Sequence, residues 1–149
     1  MTKFLLAVHV IAAIVAVGPV TVAASLFPPS ARKALADPDD VGAAETVRLL
    51  HRICRVYAAV GVVVPVFGFA TASNMGVLGD AWLVVSIALT ALAALVLVAL
   101  VLPRQNVFVD GGGDPAAAVR LAMFTGIFNL LWATVTVLMI IRPGSTTGA

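Results

Sequence analysis

The chain has 149 residues, of which 62% are hydrophobic and 11% charged, and its formal net charge is +2. The mean hydropathy of +1.12 leaves too few polar side chains to cover a water-soluble globule of this size. The few basic residues lie at the edges of apolar segments, so the charge does not indicate a nucleic-acid surface. A single cysteine, Cys54, excludes an internal disulfide and a metal site built from several cysteines. Composition therefore indicates an integral membrane protein whose surroundings are membrane lipids.

Four apolar segments are each long enough, or nearly so, to cross a bilayer as a helix. We predict an all-α fold, a single antiparallel bundle of four transmembrane helices. The approximate helix bounds are 4–27, 46–73, 81–102 and 115–141. A signal peptide is the alternative for the first segment, because Lys3 precedes the apolar run and Ala23 and Ala24 resemble a cleavage site. The run contains His9 and reaches Phe27, longer than a typical leader core, so we interpret it as a transmembrane helix.

The second predicted helix begins with an amphipathic stretch. Its basic residues recur on one side and form a stripe that consists of Arg48, His51, Arg52 and Arg55. We expect this stripe, together with Arg120 of the fourth helix, to lie among anionic lipid headgroups. If these side chains converge, they can instead hold a lipid phosphate or a cofactor carboxylate.

Proline, glycine and aspartate residues predict the kinks, turns and one helix start. Pro65 removes a backbone donor and is expected to kink the second helix. The short segment 73–80 contains two glycines and predicts a hairpin between the second and third helices. Asp114 and Pro115 are typical of an N-cap and the first residue of a helix.

The distribution of lysine and arginine predicts the orientation. Two basic residues lie near the termini, Lys3 and Arg142. Seven lie on the side of the first and third loops: Arg32, Lys33, Arg48, Arg52, Arg55, Arg104 and Arg120. The positive-inside rule therefore places loops 28–45 and 103–114 in the cytoplasm and both termini outside, in a multi-pass protein of the bacterial inner (plasma) membrane.

Counting inward from the outer helix ends places Ser86 and Thr136 at the depth of His9, with Gly68 close by. These residues are a candidate polar cluster, although a single hydrogen bond from His9 to a hydroxyl or carbonyl is the simpler interpretation. His51 is near the other membrane face, roughly 15 to 20 Å away along the membrane normal. The two histidines therefore cannot bind one haem iron within one chain.

Asn129 lies near the middle of the fourth helix, where an amide that faces lipid would be left unsatisfied. We expect it to face other helices, with Thr90 of the third helix as its hydrogen-bond partner. Packing between helices is the simpler role for this pair, and a transport or cofactor role is the alternative.

Several sequence features resemble a family of uncharacterised small bacterial membrane proteins with four helices. They are the histidine within residues 6–11 followed by Gly18, the Arg- and His-rich segment 48–55, and the segment 79–84. The resemblance covers most of the chain and implies the same bundle.

More remotely, the first-helix histidine is similar to that of copper-resistance D proteins and membrane-bound protoporphyrinogen oxidases. Those families imply copper import or haem-associated redox chemistry, with His9 as the position that carries over. This chain departs from them, since its methionines are scattered and no second histidine shares the depth of His9.

These observations favour an accessory, assembly or structural subunit that forms a homo-oligomer or joins a larger membrane complex. No phosphate loop, no nucleophile beside a base and no His-Glu metal motif is present in the sequence, so an enzyme is not favoured and no metal or cofactor is expected. The alternative is a haem-, quinone- or metal-linked redox protein centred on His9. A small transporter or channel is a weaker alternative, because no charged residue is predicted at mid-membrane.

Overall fold

A computed structural model describes residues 1–145 and confirms an all-helical fold for them. In that range four helices are long and apolar enough to cross a membrane. They are α1 (Thr2–Ala36), α2 (Val41–Met75), α3 (Ala81–Val109) and α4 (Pro115–Ile141). Gly148, predicted to be external with the C-terminus, lies outside the described residues.

The connection between α1 and α2 is shorter than the sequence predicts. α1 continues past Phe27 to Ala36 and α2 begins at Val41, so residues 37–40 are what is left of the predicted loop 28–45. Hydropathy underestimates the length of both helices, because their additional turns carry charged residues. A charged residue ends an apolar segment but does not end a helix. The residues singled out as resembling a cleavage site lie inside continuous α1 and are buried.

The connection between α3 and α4 is shortened in the same way. α3 continues to Val109, which leaves residues 110–114 of the predicted loop 103–114. The predicted N-cap of α4 is confirmed, since the Asp114 carboxylate accepts a hydrogen bond of 2.6 Å from the backbone N–H of Ala117.

The predicted kink in α2 is present. Regular α-helix ends at Val60 and resumes at Val63. Pro65 accounts for the interruption, because it cannot donate to the carbonyl of Gly61 and its ring crowds that carbonyl. The N–H of Val64 bonds the Gly61 carbonyl instead, at 3.1 Å.

α3 contains a π-helical turn at Val96–Val101, which ends two residues before Pro103. The N–H of Leu102 bonds the carbonyl of Leu97, one residue further back than in an α-helix. The wider turn accommodates Pro103, which has no N–H to offer the Ala99 carbonyl. Side chains beyond the turn consequently point in directions that an unbroken 3.6-residue period does not predict.

The main core lies at the end of the bundle that contains the turns 37–40 and 110–114. At its centre Phe27 and Phe108 meet edge to face, with ring centroids 6.1 Å apart and planes at 68°. All four helices contribute buried side chains around this pair, including Val20, Val47, Leu50, Val101, Leu121 and Phe128.

A second, smaller core lies at the opposite end. Ala72 of α2 packs with Trp82 and Leu83 of α3, and Met139 of α4 packs against them. The start of α2 is thus packed beside the end of α3, and the end of α2 beside the start of α3. Successive helices therefore run in opposite directions, as predicted for an antiparallel bundle.

Much of the remaining surface is apolar, as expected of a surface that faces lipid. Phe4 is 67% exposed, Ile14 67%, Leu130 71% and Ile140 74%. α1 packs along both parts of α2 and against α4, and α3 packs along α4. The interior is consequently small, and each polar side chain within it has few neighbours that can satisfy it.

Candidate functional sites within the bundle

His9 forms a hydrogen bond to a backbone carbonyl of α2. Its Nδ1 atom lies 2.9 Å from the carbonyl oxygen of Val64, and because a carbonyl only accepts, Nδ1 must carry the hydrogen. The ring lies directly against Gly68, where an added Cβ would be 2.8 Å from His9 Cε1. The simpler interpretation of His9 is confirmed, and so is the proximity of Gly68.

The predicted polar cluster around His9 does not form. Ser86 Oγ donates to the Trp82 carbonyl at 2.7 Å, and Thr136 Oγ1 donates to the Trp132 carbonyl at 3.0 Å. A hydroxyl within a helix satisfies itself on the carbonyl one turn back at little cost, and needs no partner from another helix.

Asn129 bonds another helix, as expected, but its partner is not Thr90. Its Nδ2 donates to Ser25 Oγ of α1 at 3.1 Å. Thr90 Oγ1 donates to the carbonyl of Ser86 in its own helix, at 2.7 Å. The predicted pair was wrong because Asn129 lies on the face of α4 that meets α1, and not on the face that meets α3.

The Ser25–Asn129 hydrogen bond lies in a groove between α1 and α4 with a volume of about 370 Å³. We call it the α1–α4 groove. Its lining residues are Ser25, Pro28, Pro29, Arg32, Ala122, Thr125, Gly126 and Asn129. Two of its polar atoms, Thr125 Oγ1 and Asn129 Oδ1, are buried without a hydrogen-bond partner. Thr125 is only 3% exposed, and nothing lies within 4 Å of where a Cβ of Gly126 would be.

His51 was expected at the lipid headgroups, but the structure places it in the core. It is 7% exposed, and its Nδ1 lies 3.0 Å from Oε1 of the fully buried Gln105 in α3. Gln105 Nε2 in turn lies 3.5 Å from Sγ of the buried Cys54. His51 turns inward because Gln105 offers a polar partner that the apolar interior otherwise lacks.

The arginines of the predicted stripe remain at the surface. Arg48, Arg52, Arg55 and Arg120 are all exposed, as expected of side chains that contact lipid headgroups. Arg120 lines a small cavity to which none of the α2 arginines contributes. The other arginine that lines this cavity is Arg104 of α3.

The two histidines are separate, as predicted. His9 contacts Val64, which lies more than three turns beyond His51 along α2, or about 20 Å of helix. Within residues 1–145, no group of three or more His, Cys, Asp or Glu side chains is placed to hold a metal ion.

The comparisons with family models, curated protein sequences and solved structures give no match for this chain.

Sequence reasoning missed three residues that the structure makes important: Gln105, Thr125 and Ser25. Gln105 was assigned to a loop, because the apolar run ends at Pro103 and the π-helical turn that redirects α3 has no clear sequence signature. Thr125 lies one helical turn before Asn129, and that spacing is the signal that could have placed both on one face.

Proposed function

We propose that this chain is an accessory or assembly subunit of a larger complex in the bacterial inner membrane, and that it has no catalytic chemistry of its own. It would belong with the small four-helix membrane proteins that its sequence resembles. The observation that carries the proposal is the α1–α4 groove, in which Thr125 Oγ1 and Asn129 Oδ1 are buried without partners.

An unsatisfied polar atom inside a membrane protein is costly, by about 1 to 3 kcal/mol per group. His9, Ser86, Thr90 and Gln105 each have a hydrogen-bond partner within the chain. The groove differs from those places because Thr125 Oγ1 and Asn129 Oδ1 have no hydrogen-bond partner in the described chain, which leaves them for a partner from outside. Acyl chains cannot provide one, since they contain neither donors nor acceptors.

The occupant that fits the groove is a transmembrane helix of another protein. Ala122 and Gly126 are one turn apart on α4, a spacing of small residues that lets a second helix approach closely. The space at Gly126 is open. Thr125 Oγ1 and Asn129 Oδ1 are shielded in the single chain, so these side chains would turn toward the arriving helix. A Ser, Thr, Asn or Gln on that helix would then donate to Asn129 Oδ1 or bond the Thr125 hydroxyl.

Photo-crosslinking in native membranes tests this assignment. A photoreactive residue at Ala122, which lines the groove, should crosslink to a discrete partner polypeptide. Gly126→Leu fills the groove and should abolish that product, and Thr125→Val, which removes the hydroxyl while nearly preserving shape, should reduce it severalfold. Gly18→Leu is the matched control, because Gly18 also faces open space but lies outside the groove. A product of twice the mass of this chain would show that the occupant of the groove is a second copy of the chain and not another protein. A product that Gly126→Leu leaves unchanged would contradict docking in the groove.

One observation favours the redox alternative. Histidines that bind metals almost always donate their other ring N–H to a carbonyl or carboxylate, and His9 Nδ1 does so to Val64. This leaves Nε2 as the ring atom with a free lone pair. Haem would then need a second axial ligand or an open position, and a symmetric dimer could supply the His9 of a second copy.

An absorption spectrum of gently purified protein separates the two candidates. We expect no Soret band, in agreement with an accessory subunit. A Soret band that disappears in His9→Ala and persists in His51→Ala would establish the redox function instead.

A further inference from the structure

Two arginines line a small cavity where the end of α3 lies beside the start of α4. We call it the arginine cavity; it has a volume of about 150 Å³ and is lined by Arg104, Ala117, Arg120 and Phe124. At about 100° per residue along α4, Ala117, Arg120 and Phe124 lie on the side of that helix opposite the α1–α4 groove. The two sites are therefore independent.

Arg104 is held in a fixed position. Its Nη1 donates to the carbonyl of Leu100 at 3.0 Å, and its guanidinium carbon lies 4.4 Å from the centroid of the Phe124 ring. A cation placed over an aromatic face is attracted by the negative π face of the ring. The guanidinium retains further N–H donors after the bond to Leu100. Arg104 is thus oriented in advance, with donors to spare.

No carboxylate neutralises this pair of arginines. Within residues 1–145, the one ion pair joins Lys33 to Asp40, at the turn between α1 and α2. The nearest acidic side chain along α4 is Asp114, whose carboxylate accepts from the Ala117 N–H as the N-cap. The two arginines therefore share one cavity, and in the described chain neither forms an ion pair with a carboxylate.

We propose that the arginine cavity binds the phosphate group of an anionic phospholipid. Arginine recognises phosphate through paired, charge-assisted hydrogen bonds, and two guanidiniums can contact one phosphate from different helices. The cavity lies at the end of the bundle that carries the arginines of α2, where the sequence predicts lipid headgroups.

The lining of the cavity favours a lipid over a soluble phosphate. Phe124 and Ala117 provide an apolar wall beside the two charges, which suits a phosphate attached to glycerol and acyl chains. Two uncompensated arginines would repel the ammonium group of a zwitterionic lipid. The expected ligand is consequently a phospholipid with net negative charge, such as phosphatidylglycerol.

Native mass spectrometry of the full chain, released from detergent micelles that contain defined lipids, tests the proposal. The parent protein should retain one phosphatidylglycerol and should prefer it severalfold over phosphatidylethanolamine. Arg120→Gln and Arg104→Gln should each weaken retention about tenfold, and Phe124→Leu should weaken it less, because both charges remain. Arg48→Gln is the matched control, since Arg48 is an exposed arginine of α2 that is not part of the cavity.

Each outcome has a definite meaning. Equal losses in Arg48→Gln and Arg120→Gln would overturn the proposal in favour of unspecific attraction to basic residues. Equal retention of the two lipids would also overturn it. Thermal stabilisation by inorganic phosphate alone, as large as that by the lipid, would reassign the cavity to a soluble anion. Arg104→Gln also loses the bond to Leu100, so Arg120→Gln decides the matter if the Arg104 variant is unstable.

Discussion

The polar residues of this chain are satisfied mostly over very short distances. Hydroxyl groups bond the carbonyl one turn back in their own helix, whereas His9, Gln105 and Asn129 each reach a neighbouring helix. His9 illustrates the second case, because its ring needs both an acceptor at Val64 and open space at Gly68. The absence of a side chain at Gly68 is therefore as important for the position of His9 as the hydrogen bond itself.

Gly68→Ala tests this fit between histidine and glycine. The new methyl group would lie 2.8 Å from His9 Cε1, so the ring must move and its bond to Val64 must weaken. We expect a loss of about 1 to 3 kcal/mol, the usual cost of overpacking, measured as a lower free energy of unfolding in detergent.

The controls follow from the same geometry. Gly18→Ala adds a methyl group in open space and should be neutral or stabilising by up to about 1 kcal/mol, since alanine favours helix. In a His9→Ala background, Gly68→Ala should cost nothing. A full loss in that background would show that something other than the imidazole opposes the methyl group.

At this scale the sequence predicts which residues are polar and at about what depth, but not which way they face. His51 and Arg48 lie on the same predicted stripe, yet His51 is buried and Arg48 exposed. The difference depends on Gln105, which is 54 residues away from His51 along the chain. Periodicity within one helix contains no information about such a partner.

At the scale of helices, the prolines have different consequences. Pro65 interrupts α2 and Pro103 follows a π-helical turn in α3, whereas Pro19, Pro28 and Pro29 lie within continuous α1. The kink at Pro65 was predictable, because a missing donor and a steric clash are local effects. The π-helical turn was not, and it determines how Gln105 reaches the start of α2.

The His51–Gln105–Cys54 network therefore joins α2 to α3. Gln105→Leu preserves most of the volume but leaves the Nδ1–H of His51 buried without an acceptor. We expect a loss of about 1 to 3 kcal/mol in the free energy of unfolding. Because Cys54 is the one cysteine in the sequence and is buried, its rate of modification by a thiol reagent should rise as the two helices separate.

Asn106→Leu is the matched control for this variant. Asn106 is the next residue, and its amide bonds the exposed Asp110 within the same helix. It should leave both the stability and the Cys54 labelling rate nearly unchanged. Equal labelling of Cys54 in the two variants would mean that the network does not hold α2 against α3.

For the whole molecule, the number and direction of the helices were predictable because they depend on segment length and turn residues alone. The packing of the helices was less predictable from the sequence. The main core lies at the end with the turns 37–40 and 110–114, while large apolar residues such as Phe4 and Ile140 stay exposed. In lipid an exposed leucine and a buried one differ little in solvation, so hydropathy cannot separate the core from the surface.

Two exposed turn positions allow the orientation of the bundle in the membrane to be tested. Asp39 is exposed in the turn between α1 and α2, and Gly79 is exposed in the turn between α2 and α3, with nothing within 4 Å of an added Cβ. A cysteine at either position, in a Cys54→Ser background, should leave the fold intact. Since seven of the nine basic residues lie on the side of Asp39, the positive-inside rule places that turn in the cytoplasm. An impermeant thiol reagent applied to intact cells should therefore label Gly79→Cys and spare Asp39→Cys until the cells are opened. The reverse labelling pattern would show that the orientation of the bundle is opposite to the predicted one and that the arginine cavity lies in the outer leaflet.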